Sequence, residues 1–368
     1  MRRKIISLLL IFNSFLLTSQ LKSPESFFGY ELGTHFNLHH QLLDYFSHLE
    51  KNSEFLKIIP YGKSNEGREL QLVFISNRKN LENLEEIRLS HLKNSGSIKG
   101  PKNENKSIVW LSYNIHGNES SSSEASMKTA YDLITKHTKW LLDTIVIIDP
   151  CVNPDGRDRY VNFYKQNRGI PYDTNQNSIE HDEPWHNGRT NHYAFDLNRD
   201  WAWVTQIETK NRINKFNDWL PHIHVDFHEQ GINSPYYFAP AVEPYHEVVS
   251  KFQREFQQII GRNHAKYFDE KGWLYFTKEK FDLLYPSYGD TYPMFLGSIG
   301  MTYEQAGGGI AGLGVRNDEN TEVTLKDRIE HHHVTGISTV EMAAKFRILL
   351  NKNYQFFFDN KNVKYKNF

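Results

Sequence analysis

Apolar residues along this chain fall into two patterns: short runs that stop abruptly at polar turns, and longer stretches in which they recur every three or four positions. The first pattern predicts buried strands and the second amphipathic helices. The sharpest run covers residues 108–111 and ends in His116-Gly-Asn-Glu119. Residues 144–149 form another, ending in Pro150-Cys-Val-Asn-Pro-Asp-Gly156, and residues 223–227 a third, ending in His228-Glu-Gln-Gly231. Residues 300–305 read as a last strand entering the Gly307-Gly-Gly309 turn, with further short strands at 70–75, after a turn cluster at 61–67, and at 236–239.

Helical spacing appears at His39, His40, Leu42, Leu43, Phe46 and Leu49, and again over 120–137, 205–220, 242–268 and 325–350. The serines at 120–123 suit the cap of the second of these helices. The cluster also invites a nucleophile reading, but no Gly-x-Ser-x-Gly elbow surrounds it, so capping is favoured. His331, His332 and His333 are consecutive and point around a helix, which suits packing and surface positions. Residues 93–106 read as an exposed loop. Residues 153–198 lack periodicity, and their aromatic run at 183–201 predicts an ordered loop wall. Strands alternating with helices imply the α/β class: a single domain with a mixed, mostly parallel sheet and helices on both faces. The expected boundaries are a signal peptide at 1–20, the folded domain at 21–350 and a C-terminal tail at 351–368.

Composition changes this picture in three places. Lys plus Arg is 43 against 44 for Asp plus Glu, so no basic field recruits nucleic acid. Met1-Arg-Arg-Lys4 followed by the apolar stretch 5–17 reads as a secretory signal, too short to span a bilayer, which predicts secretion or a periplasmic location without stable membrane insertion. Cys151 is the only cysteine, so no intramolecular disulfide forms, and its place after an apolar run suits a small buried residue.

Three strand ends carry the candidate chemistry: His116 and Glu119, His228, and Glu304. Open α/β sheets place their sites at such ends. A catalytic zinc takes three protein ligands and keeps one position open, and two imidazoles with one carboxylate suit it. His116, Glu119 and His228 supply that set, leaving Glu304 as a general base. His222 and His224 share the strand parity of His228, so alternation alone does not choose among them; the strand-end position and the Glu-Gln-Gly turn favour His228.

With these residues the chain resembles the zinc carboxypeptidases of the carboxypeptidase A-like family. The motifs are His116-Gly-Asn-Glu119, Asn153-Pro-Asp-Gly156, Asp196-Leu-Asn-Arg199, His228 at a strand end and Thr302-Tyr-Glu304, in family order over about residues 30–345. The resemblance implies a carboxypeptidase-like fold, one Zn2+ per chain, and hydrolysis of the last peptide bond of a peptide or protein with a free C-terminus by a zinc-bound water that Glu304 activates. It implies that Asn198 and Arg199 hold the terminal carboxylate, which suits a guanidinium fork. It also implies an arginine that stabilises the oxyanion. Arg189 and Arg168 compete for that role, and the aromatic run around Arg189 favours it, although its spacing departs from the family's. A mobile tyrosine should precede the glutamate; Tyr288 is the first choice, with Tyr285 and Tyr292 as rivals.

Two other readings stay open at this level. The same fold serves metallo-amidases acting on cell-wall or side-chain-linked peptides. A non-catalytic zinc- or peptide-binding module would keep the ligands without turnover, though retention of Glu304 and Arg199 argues against it. Asp290 suits either a basic terminal side chain or a turn after Gly289.

Overall fold

The computed structural model describes residues 20–103 and 105–364, with side chains through Asp359. The expected signal peptide therefore lies, but for its last residue, outside the described residues. Twelve strands are described: β1 (Leu56–Lys63), β2 (Glu69–Ile75), β3 (Ser107–Tyr113), β4 (Thr144–Asp149), β5 (Ile223–Gln230), β6 (Tyr236–Tyr237), β7 (Val242–Tyr245), β8 (Tyr275–Phe276), β9 (Asp282–Leu283), β10 (Ile299–Ala306), β11 (Gly314–Arg316) and β12 (Glu322–Thr324). Eight of them form one sheet in the order β1-β2-β4-β3-β5-β10-β6-β8, while β7 pairs with β9 and β11 with β12. The centre, β4-β3-β5-β10, is parallel, and β1, β2 and β6 add antiparallel pairs.

Both faces of this sheet are covered, which explains why β3 and β4 are near-continuous apolar runs, whereas β5 carries His224, Asp226 and His228 on one parity. Val109, Leu111, Val146 and Ile148 face the larger core, which the helices His39–Asn52, Ser121–Thr135, Lys251–Lys271 and Leu325–Lys345 complete. Ile108, Trp110, Ile145 and Ile147 face the other core, closed by Ile213, Phe216 and Trp219 of the helix Ile207–Trp219. Among the described residues no helix is long and apolar enough to cross a membrane.

Several local expectations differ from what forms. Residues 154–167 are a helix, not loop, because its buried face includes charged residues: Arg157 is paired with Glu124, and Asp155 and Asp158 with Arg68. That hid the stripe of Tyr160, Val161 and Tyr164; the readable signal was Asn153 as N-cap before Pro154. The stretch 242–268 begins as β7, and its helix starts only at Lys251, where Ser250 and Gln253 form a capping box. The last helix breaks at Phe346, and Arg347–Lys364 is a separate helix running through the expected boundary at 350, with Tyr354 packed beside Leu92 and Leu220. Residues 93–106 hold the end of the helix Leu84–Ser95, with Asn94, Ser95 and Asn105 buried. Cys151 is buried, as its context predicts.

Candidate metal centre and active site

The metal-binding turn is built by Asn114, which follows β3 in the left-handed conformation at φ 60°. Its side-chain amide donates to the carbonyls of His116 (2.6 Å), Gly117 (3.2 Å) and Glu119 (3.1 Å), so one residue holds the whole turn. Gly117 has no room for a side chain: an added Cβ would stand 2.2 Å from the backbone of Gly156 and Arg157. The following serines start the helix Ser121–Thr135 but do not cap it with their hydroxyls. They tie the turn to its surroundings instead: Ser120 donates to the Gly117 carbonyl, Ser121 to the Glu229 carboxylate, and the Ser122 hydroxyl accepts from the Asn114 N–H.

This turn brings His116 and Glu119 to His228, and the three buried side chains offer ligand atoms within 4.8 Å of one another. Nδ1 of His116 lies 2.9 Å from Glu119 Oε1, and Nδ1 of His228 lies 3.1 Å from Glu119 Oε2. The two Nδ1 atoms are 3.2 Å apart, facing each other. Each outer nitrogen meets a carboxylate: Nε2 of His116 lies 2.9 Å from Asp196 Oδ1, and Nε2 of His228 lies 3.3 Å from Asp226 Oδ2. Carboxylates on the outer nitrogens fix the tautomer that leaves Nδ1 free to ligate. Two imidazoles and a carboxylate match the three-ligand set of a catalytic zinc, and the outer carboxylates orient the imidazoles. Burial alone would push the Glu119 carboxyl up, yet the neighbouring His116 and His228 hold it well below the usual carboxylate range. His222 and His224 do not join the site; they sit inside the sheet, against the Ile108 N–H and the Ser112 hydroxyl respectively. His331, His332 and His333 also stay apart, bonding Gln305, Tyr236 and Asp132.

Glu304 on β10 is the register partner of His228 on β5. Burial, together with the charge of Glu119, pushes its carboxyl up to about 7 against the pull of His228. Arg189 reaches Glu119 Oε1 at 3.1 Å and Asp196 Oδ2 at 3.1 Å. Arg168 caps the helix Pro154–Asn167 and is not part of the cleft lining. Asn198 accepts from the Gly289 N–H at 2.8 Å, and the Arg199 guanidinium lies over the Tyr288 ring at 4.5 Å. Of the three tyrosines, Tyr288 alone lines the cleft; Tyr285 stacks on it edge-on and accepts from Trp203 Nε1, and Tyr292 packs beside Trp201.

All eight residues singled out from the sequence line one cleft of about 380 Å³. Asp196 and Asp226 escaped that reading, which left Asp290 between a turn and a basic terminal side chain. Asp196 was visible only as the first letter of its motif, and its bond to His116 spans 80 residues. Asp226 shares its strand parity with three histidines and nothing in the pattern set it apart. Asp290 lines the cleft at 7% exposure, with burial pushing its carboxyl up to about 6.

The zinc carboxypeptidase family model matches residues 42–291. No curated protein matches the chain. Among solved structures, a metallo-carboxypeptidase from Burkholderia cenocepacia aligns with TM-score 0.57 and 15% identity, covering 84% of this chain and 69% of that one. Carboxypeptidase A from Helicoverpa armigera aligns with TM-score 0.54 and 16% identity, covering 85% and 74%. Bovine thrombin-activatable fibrinolysis inhibitor, in complex with tick carboxypeptidase inhibitor, gives 0.56 and 16%, covering 87% and 99%. At these identities the likeness establishes the fold.

Proposed function

The chain belongs to the zinc carboxypeptidase family, and from that premise we propose that it removes the C-terminal residue from peptides or proteins. The observation that carries the reading is the placement of a metal-ligand trio, a buried glutamate and two arginines around one cleft. His116, Glu119 and His228 would hold one zinc through their facing Nδ1 atoms and carboxylate. The metal supplies Lewis acidity to water and to the scissile carbonyl.

The remaining steps belong to the protein. Glu304, with its carboxyl raised to about 7, is matched to taking a proton from the attacking water and passing it to the departing amine. Arg189 offers guanidinium donors to the developing oxyanion from the edge of the ligand set. Asn198 and Arg199 receive the terminal carboxylate, and Tyr288, stacked under Arg199, closes over the bound residue. The basic and apolar start of the chain supports export as the accompanying proposal. The test is a pair of peptides identical except for a free or an amidated C-terminus. The free one is shortened by one residue and its twin is left intact; cleavage of both at equal rates would point to an amidase without carboxylate recognition.

A further inference from the structure

Asp226 is fully buried, and apart from His228, whose Nε2 stands 3.3 Å from Oδ2, neither of its oxygens meets a donor. A carboxylate removed from water without donors is costly, and one that must stay ionised to orient an imidazole needs them. Close by is a complementary orphan, one of several buried nitrogens there, with those of Arg212 and His224 Nδ1, that have no partner. The indole Nε1 of Trp201 is buried and has no acceptor. Both atoms crowd one glycine: a Cβ on Gly289 would stand 2.0 Å from Asp226 Oδ2 and 2.9 Å from Trp201 Nε1. The two atoms are therefore no more than 4.9 Å apart, the sum of those distances, within reach of a direct bond after a small shift or of one bridging water. Gly289 is itself tied to the cleft through its N–H bond to Asn198.

We propose that Trp201 and Asp226 are a positioning pair for His228: the indole N–H is the donor that Asp226 lacks, and the bare Cα of Gly289 is the gap across which they meet. Arg212 backs the pair. Its guanidinium lies over the Trp201 ring at 4.0 Å, fully buried. His228 is thus held from behind by a chain running from β5 to the helix Ile207–Trp219, on the opposite side of the ring from its ligand atom. The inference rests on His228 being a metal ligand.

The experiment is a double-mutant cycle on the full chain, reading the zinc dissociation constant by competition with a chromophoric chelator. Asp226→Asn is expected to weaken zinc binding about 10- to 100-fold. Trp201→Phe, which keeps the aromatic body and deletes the N–H, is expected to weaken it about threefold to tenfold in the wild-type background and not at all in Asp226→Asn. Melting of the metal-free variants is the control, since a packing defect at position 201 would lower stability equally in both backgrounds. An unchanged dissociation constant in Trp201→Phe, or the same loss in both backgrounds, overturns the pair. Trp201→Phe alone decides the matter should Asp226→Asn not fold. A wild-type protein that binds no zinc removes the underlying reading and the pair with it, whereas zinc binding indifferent to Trp201→Phe removes the pair alone.

Discussion

His228 and Glu304 face each other as register partners on adjacent parallel strands, so a proposed metal ligand and a proposed base are fixed relative to one another by backbone pairing. A site built across neighbouring strands in this way does not depend on a loop to bring its base to its metal.

Asp196 serves two proposed functional groups at once, accepting from His116 Nε2 and from Arg189. Asp196→Asn is therefore expected to weaken zinc binding about 10- to 100-fold and to lower turnover further once zinc is saturating. A chelator titration followed by kinetics at excess zinc separates the two effects. Recovery of full turnover by added zinc would leave Arg189 without a need for this partner.

Arg199 is proposed to read the substrate's terminal carboxylate. Its replacement by Ala should raise KM for peptides with a free C-terminus about 10- to 100-fold, in line with the loss of charge-assisted hydrogen bonds. Steady-state kinetics on free and amidated peptides measures this directly. An equal effect on both would assign Arg199 to structure.

Asp290 lines the cleft with the Thr291 hydroxyl bonded to it, and among the described residues no Lys or Arg pairs with it. An ammonium or guanidinium on the terminal residue would fill that need. Peptides ending in Lys or Arg should be processed at least about tenfold faster than those ending in Glu or Asp, with the preference lost in Asp290→Asn. A competition assay on mixed peptides reports it, and a preference that survives the substitution would place the determinant elsewhere.

Much of this was legible in the sequence, and for one physical reason. Strands buried on both faces are rich in apolar residues, so the polar turns that follow β3 and end β5 and β10 stand out as the place where the sheet meets its cleft. What stayed hidden depends on distant partners. Arg157 reads as a surface charge until Glu124 and Asn37 are folded around it, which is why the helix Pro154–Asn167 looked like loop. Asp226 is distinguishable from His222 and His224 only once Trp201 and Gly289 are brought beside it. The serines after Glu119 look like caps because capping is local, whereas the Ser121 hydroxyl answers to a glutamate 108 residues away.

Acid stability follows from histidines buried away from the cleft. His91 and His264 are fully buried, and burial lowers them from 6.5 to about 4 and about 3. Below pH 6.5 the unfolded chain binds protons at these positions and the folded protein does not, so stability is full above about 6.5 and falls as pH drops towards 4. Each contributes up to about 1.4 kcal/mol per pH unit in that window. Melting curves from pH 7.5 to 4.5 should show the decline, and His264→Gln, which cannot titrate, should show a shallower one. An unchanged slope would contradict this origin.

The most direct measurement follows release of C-terminal residues by the wild type and Glu304→Gln, with zinc content determined on the same preparations and with chelator added to half. One zinc per chain is expected in both proteins, with release by the wild type that chelator abolishes and a loss of at least about 100-fold in the variant. Release that persists in Glu304→Gln, or that ignores the chelator, would contradict the proposed mechanism.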